Sequence, residues 1–460
     1  MIARQMKIVA LAVLLTGALT LQAQETEKNT ISAIYQNALS SYESYSNLNE
    51  LCMKAPGRLL GSPASKRAIQ ILKGQVGKQN PDTCYLQQYT TPSWRVNSPA
   101  LAMVKVGSKK ESLNVVNLGL SVSTPAEGIT GEVLEVHTLS ALDSLGSNVV
   151  KNKIVFFNRA MDNSKVTTFE QYGGAIDQRA GGASKAAQYG AVGVLVRSLS
   201  TEHYDFPHTG VSRYKDGVTK IPNISISTND ADKLSMLNKN NKNVKVWIKS
   251  DTETIDSTRT ANLIAEIKGS RHPEKIILIG AHMDAWFNTP GAHDDGAGCE
   301  QMIDVFRIFK ELNIKPENTI RLVLFMDEEM YQSGSKAYAA LVGKEKKTHI
   351  VSIESDAGGL LPLGFGIDAG DSVINAIKKQ AGQLVEYGIY NTSRGHGGTD
   401  IAPLKKFGIP LIGLMTNSQR YFEYHHSAND TVENVSRREM QLGTAAIASL
   451  VYLIDKNGIR

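Results

Sequence analysis

The chain has 460 residues, with 50 Lys and Arg against 45 Asp and Glu and a net charge of +5. A length of this order predicts about three compact units at roughly 100–200 residues each, and 42% hydrophobic with 21% charged residues excludes disorder, collagen, coiled coil and a polytopic membrane protein. The small positive excess is no nucleic-acid footprint, and three Cys cannot build a disulfide framework.

The chain opens on a basic start, Arg4 and Lys7, followed by an apolar run from Ile8 to Leu21 and a small residue, Ala23, at a cleavage position. This predicts a signal peptide over 1–23, since the run is shorter than the about 20 apolar residues of a membrane span. A retained interfacial anchor is the alternative. The expectation is an exported protein, periplasmic or extracellular, with no stable membrane insertion after cleavage. Residues 24–123 are expected to form the N-terminal part of the main domain. Ile31, Ile34, Tyr35, Leu39 and Tyr42, then Ala68, Ile69, Leu72 and Val76, recur at helical spacing on either side of the turn at Gly61-Ser62-Pro63. Tyr85–Val106 and Leu113–Val122 read as strands. Export permits a Cys52–Cys84 disulfide, and free buried thiols fit the sequence equally well.

A second unit is expected over 124–250. Strands are predicted from Ile129 to Val136, from Lys153 to Asn158, after Gly190 and from Val244 to Lys249, with helices over Ala183–Tyr189 and Asp230–Leu237. His203 and His208 read as surface residues of a polar loop.

The remaining residues, 251–460, are expected to form the main domain. Ile276–Ala281, Ile320–Met326, Ile350–Ile353 and Pro410–Leu414 are short apolar runs of strand length. Helical stretches lie at Gly298–Leu312, Ser333–Leu341, Asp371–Ala381 and Arg438–Ile454. This pattern predicts an α/β fold, a mostly parallel central sheet with helices on both faces. In such sheets ligands bind off the carboxyl ends of the strands. Three of these ends lead into potential metal ligands: His282 and Asp284, then Asp327, Glu328 and Glu329, then Glu354 and Asp356. A Gly-rich turn at Gly291–Gly298 adds Asp294 and Asp295, and His425 and His426 follow near the end. Singly, each acid reads as a helix cap or a solvated strand end. Together they crowd acids and imidazoles at one sheet edge, where carboxylates repel unless a cation neutralises them. Mixed imidazole and carboxylate ligation suits zinc, with Mn or Co able to use the same groups.

His282-Met-Asp-Ala-Trp286, Gly291-Ala-His-Asp-Asp-Gly-Ala-Gly298, Asp327-Glu-Glu329, Glu354-Ser-Asp-Ala-Gly358 and His425-His-Ser-Ala-Asn-Asp-Thr431 resemble, in order, the motifs of the co-catalytic zinc exopeptidases. That family includes bacterial secreted aminopeptidases and glutamate carboxypeptidase. Similarity extends through Trp94-Arg95, Gly398–Ile401 and Tyr421–Ser427, over nearly all of the chain after residue 23. The resemblance implies two zinc ions, with His282 and Asp356 on one, Glu329 and His426 on the other and Asp294 bridging. It implies a cis Asp294–Asp295 peptide, Glu328 as general base for a hydroxide between the metals, and Asp284 as acceptor for the second ring N–H of His282. Residues 124–250 resemble a protease-associated domain, an insert that roofs the site. Tyr424, His425 and His396 are candidate substrate contacts, and His293 reads as a rim residue. The expected substrates are dipeptides or short peptides; aminopeptidase, carboxypeptidase and dipeptidase action stay open, as does a homodimer. Two alternatives remain on the same scaffold, a one-metal glutaminyl cyclase-type acyltransferase and a non-catalytic receptor-like relative.

Overall fold

The computed structural model describes residues 25–459, so the expected signal peptide lies outside the described residues. Helices α1 (25–40), α2 (Glu43–Lys54) and α3 (Pro63–Lys78) come first. Ser62 caps α3 by accepting the Ser65 amide at 3.0 Å, with Pro63 supplying a pre-set first turn. Strands β1 (Thr83–Val106), β2 (Lys109–Leu113) and β3 (Val115–Asn117) follow. Next come β4 (Ile129–Val136), α4 (Leu139–Val150), β5 (Lys153–Phe157), α5 (Thr168–Gly173), α6 (Ile176–Gln188), β6 (Gly193–Arg197), β7 (Asn223–Ile226) and α7 (Thr228–Asn240). The long β8 (Lys245–Ile267) leads to β9 (His272–His282), a π-helical turn at Ala292–Gly296 and α8 (Ala297–Glu311). The chain closes through β10 (Asn318–Phe325), α9 (Ser333–Val342), β11 (Thr348–Glu354), β12 (Pro362–Asp368), α10 (Asp371–Ala381), β13 (Ser393–Arg394), β14 (Leu411–Thr416), α11 (Tyr421–Tyr424) and α12 (Arg437–Asn457).

The main sheet is mixed, with a parallel centre in the order β14-β11-β9-β10 and antiparallel neighbours β12 and β8. Side chains alternate across its central strands. Ile277, Ile279, Leu322 and Leu324 pack in one core with Met302 and Phe306 of α8 and Leu450 of α12. Ile276, Leu278, Val323 and Phe325 pack on the opposite face with Tyr338 and Ala339 of α9. Two apolar faces explain why these strands read as continuous hydrophobic runs. Parallel neighbours end together, so His282, Asp327–Glu329 and the residues after Glu354 emerge along one edge.

The second unit is a smaller parallel layer, β4-β5-β6-β7, bounded by antiparallel β3 and β8. Strands β1 and β8 run antiparallel from one unit into the other, with bulges at Thr91/Ser93 and beyond. β8 therefore passes unbroken through the expected boundary at 250/251. The core of the second unit draws in Ala100, Ala102, Val104 and Leu113, all before residue 124. Local readings shift in several places, among them α6, which begins at Ile176 and not at Ala183. Strand structure after Leu113 stops at Asn117, because Leu120 turns the chain at a φ of 64°. β12 carries Gly364 and Gly366, which break the apolar pattern that would have revealed it. α4 also went unread, its helix kinked at Gly146. Cys52, Cys84 and Cys299 are free thiols, so Cys52 and Cys84 are not bridged.

Candidate metal centre

The centre forms where the strand edge meets the Gly-rich turn. Asp294 sits in that turn, and the Asp294–Asp295 peptide is cis. Its neighbours hold it from both sides: Asp430 accepts the amides of His293 at 2.6 Å and Asp294 at 3.1 Å. Asp295 points the other way, accepting the His282 amide and the Gly298 amide, each at 3.1 Å. The two consecutive acids thus divide between the site and the start of α8.

The two oxygens of Asp294 face two different histidines. Oδ1 lies 3.1 Å from His282 Nε2, and Oδ2 lies 3.3 Å from His426 Nε2. Asp356 Oδ1 joins the first histidine at 3.5 Å, and Glu329 Oε2 joins the second at 3.1 Å. All five expected ligands therefore converge, in two half-sites that share one carboxylate. Asp294 Oδ2 and Glu329 Oε1 are buried without a hydrogen-bond partner, which a divalent cation would satisfy. Burial, with repulsion from Asp294, pushes the Glu329 carboxyl up to about 7. Burial also raises the Asp356 carboxyl above its ordinary range, and Asp294 is held far down by His282 and His426. A crowd of buried acids with two imidazoles is a donor set that suits zinc.

Supporting contacts go beyond the expected ligands. Asp284 stands 3.6 Å from His282 Nδ1, and its oxygens also accept the amides of Asp327 at 2.9 Å, Glu328 at 3.2 Å and Glu329 at 3.4 Å. One carboxylate thus ties the first histidine to the Asp-Glu-Glu loop, where Asp327 takes a positive φ of 76°. His426, also at positive φ, is anchored by the second unit: the Thr209 amide donates to its carbonyl at 2.9 Å, and Thr209 O lies 3.3 Å from its Nδ1. Such a contact fixes which ring nitrogen faces a metal.

The centre opens into a cleft of about 230 Å³ lined by Asp294, Glu328, Glu329, Asp356, His425 and His426 on one side. Glu328 is the cleft carboxylate outside the ligand pairs, its carboxyl held well above the usual range by burial and by nearby Asp356 and Glu329. Phe169, Tyr172, Arg179, Val211 and Arg213 form the other wall, all from the second unit. That wall was not foreseen, because nothing in the spacing of these residues distinguishes them from packing or surface groups.

The remaining expectations divide. His425 lines the cleft, stacked on His426 at 3.5 Å between ring centroids, with Nε2 at 3.9 Å from Asp294 Oδ2. Tyr424 is buried outside the cleft lining, stacked on His293 at 5.0 Å. His396 is exposed on a loop, its Nδ1 accepting the Gly398 amide at 3.2 Å, and it does not line the cleft either. His293 is buried under the turn and not at a rim; its Nδ1 accepts the Gly359 amide at 3.1 Å. His203 is exposed as expected, but His208 is buried against Tyr204, and burial pushes it down to about 3.

Residues 262–451 match the model of Peptidase family M28. Carboxypeptidase Q of Homo sapiens is 31% identical over 423 residues, covering 92% of this chain and 87% of that protein. A Peptidase M28 precursor from Shewanella amazonensis shares the fold with a TM-score of 0.88 and 30% identity, over 95% of this chain and 98% of that one. BSAP, a zinc aminopeptidase from Bacillus subtilis, shares the fold at a TM-score of 0.66 and 19% identity, over 90% and 95% of the two chains. With the ligand set converged at the sheet edge, the chain belongs to peptidase family M28 and is a zinc metallopeptidase.

Proposed function

We propose that this chain is a two-zinc exopeptidase that, after export, hydrolyses dipeptides or short peptides. The observation that carries the reading is the division of Asp294 between His282 and His426, with Asp356 and Glu329 completing the two sides. In it His282, Asp356 and Asp294 would hold one ion, and His426, Glu329 and Asp294 would hold the other. Zinc bound there would supply polarisation of the scissile carbonyl and a lowering of the pKa of water from about 15.7 towards roughly 7. Glu328 takes the proton from the attacking water on its carboxylate and returns it to the nitrogen of the leaving amine. Asp284 keeps the Glu328 amide and the His282 ring in one geometry, and the Thr209 carbonyl orients His426. The exposed Arg213 reaches the cleft with the Met330 carbonyl as its neighbour at 3.4 Å, and no carboxylate pairs with it among the described residues. A free cation beside carboxylates committed to metal and base favours a substrate with a free C-terminal carboxylate. Export rests on the sequence of residues 1–23, and Mn2+ or Co2+ could take the same ligands.

Glu328→Gln and Glu329→Gln test the reading. The first keeps the shape and the metals but removes the base, so dipeptide turnover falls by roughly 10²–10⁴ at unchanged zinc content. The second lowers the affinity for one zinc, and with it stability, because metal binding is coupled to folding. Wild-type turnover in Glu328→Gln, or equal metal loss in both, defeats the assignment.

A further inference from the structure

The cleft wall opposite the carboxylates carries a hydroxyl that the mechanism above leaves unused. Tyr172 lies at the end of α5 in the second unit. Its ring stacks on Phe422 at 4.7 Å and 21°, and meets His425 edge-on at 5.4 Å and 84°. Two contacts in different planes leave the ring little freedom to swing. Its oxygen is pinned as well: Arg179 Nη2 donates to it at 2.6 Å. Arg179 is itself 4% exposed and donates from Nη1 to the Thr209 carbonyl at 3.2 Å, so the guanidinium is anchored to the segment that holds His426. Gly210 keeps the space for it; a Cβ there would lie 2.3 Å from Arg179 Nη1.

This arrangement has a direct chemical consequence. A phenol oxygen that accepts from a guanidinium has its O–H polarised, which makes it a stronger donor. Its proton has no acceptor among the described residues, yet Tyr172 lines the same cleft as Asp294, Glu329 and His426. Burial keeps the phenol in its protonated, donating form at neutral pH. The other aromatic groups are placed differently. His425 directs Nε2 towards Asp294, and Tyr421, which also lines the cleft, has no cation bonded to its hydroxyl among the described residues.

We propose that Tyr172 is a catalytic residue, donating from its O–H to the scissile carbonyl oxygen as that oxygen becomes negative. The role rests on the peptidase reading above, and it makes the second unit a supplier of catalysis and not a roof alone. The balance is simple. Water oxygen adds to the carbonyl carbon, the π electrons pass to the carbonyl oxygen, and Tyr172 stabilises that charge while keeping its proton. When the carbonyl reforms, the C–N bond breaks and Glu328 protonates the amine. Arg179 acts through Tyr172 as a positioning residue. Donors aimed at a developing oxyanion are worth roughly 10²–10³ in kcat.

The test uses Tyr172→Phe in the full-length, zinc-loaded protein, since Phe keeps both ring contacts and loses only the hydroxyl. Three readouts separate catalysis from packing: kcat and KM on a free dipeptide, zinc content with the unfolding midpoint, and affinity for a phosphinic dipeptide analogue that mimics the tetrahedral state. The expected result is a kcat lower by 10-fold or more, KM within about threefold, unchanged zinc content, a midpoint lowered only as far as the loss of one Arg179 acceptor allows, and phosphinate affinity falling in parallel with kcat/KM. A kcat within threefold of wild type overturns the proposal. So does a KM rise with kcat retained, which marks a substrate anchor. A wild-type chain that cleaves no dipeptide would instead defeat the proposed dipeptide substrate, and phosphinate binding would still compare the two phenol states.

Discussion

Replacing Asp284 probes how one buried carboxylate organises the centre. Asp284 is fully buried, and its two oxygens accept three amides, those of Asp327 at 2.9 Å, Glu328 at 3.2 Å and Glu329 at 3.4 Å. Alanine leaves all three donors without an acceptor. An unsatisfied buried group costs about 1–3 kcal/mol, and two of these bonds are long, so the lower end applies and the sum is about 3 kcal/mol of folding stability. Asparagine restores one acceptor oxygen, but its NH2 must then face either the Glu329 amide or His282 Nδ1, which stands 3.6 Å away. The expected cost in stability is about 1 kcal/mol, with zinc affinity on the His282 side lower by about 10–100-fold. Urea unfolding of the chelated protein isolates the folding effect, and competition with a chromophoric chelator isolates the metal effect. If Asp284→Ala unfolds at the wild-type urea midpoint and keeps wild-type zinc affinity, the bracing role is refuted.

Other outcomes follow from the same geometry. In the chelated protein, burial raises the Glu329 carboxyl to about 7 and the Glu354 carboxyl to about 8, against an ordinary value of 4.5. Raised acids stabilise the folded chain fully below about pH 4.5 and lose that contribution as pH climbs through 7 to 8, so its unfolding midpoint falls over that window. Zinc removes most of this dependence, and parallel thermal scans with and without chelator between pH 6 and 9 would expose a flat apo profile as the contrary result. Gly298→Ala puts a Cβ 2.2 Å from the Ser355 carbonyl and 2.3 Å from Asp295 Oδ1. It is expected to cost about 1–3 kcal/mol by overpacking and to weaken zinc binding by shifting the turn; denaturation and zinc titration would show otherwise if both stay at wild-type values.

His282, Glu329 and Asp356 of the centre were legible because each follows an apolar run, whereas Asp294 and His426 stood out through their motifs. A strand of the main sheet buries both faces, so Ile276–Ala281 and Ile320–Met326 stand out as unbroken hydrophobic stretches, and the first polar residues beyond them fall at the strand ends. Parallel pairing then aligns those ends. The two roles of Asp284 were legible only in part. Its partnership with His282 follows from the motif, but its acceptance of the Glu328 and Glu329 amides depends on how two loops meet.

The sequence by itself determined the α/β alternation and which acids and imidazoles follow the strand ends, since burial periodicity and side-chain chemistry are local properties; the choice of five of them as a metal set came from the resemblance of the motifs. Only the tertiary structure decided which residues face those ligands. Tyr172, Arg179, Thr209 and Arg213 precede the nearest ligand, His282, by 69 residues or more, and their seats in the cleft come from β1 and β8 carrying the second unit onto the edge of the main sheet. His208 turned inward for the same reason, buried against Tyr204 and the His425 backbone of the main unit, whereas Tyr424 is buried within the main unit, stacked on His293. Local pattern fixes which face of an element is buried, but the partner that buries it is chosen by long-range packing.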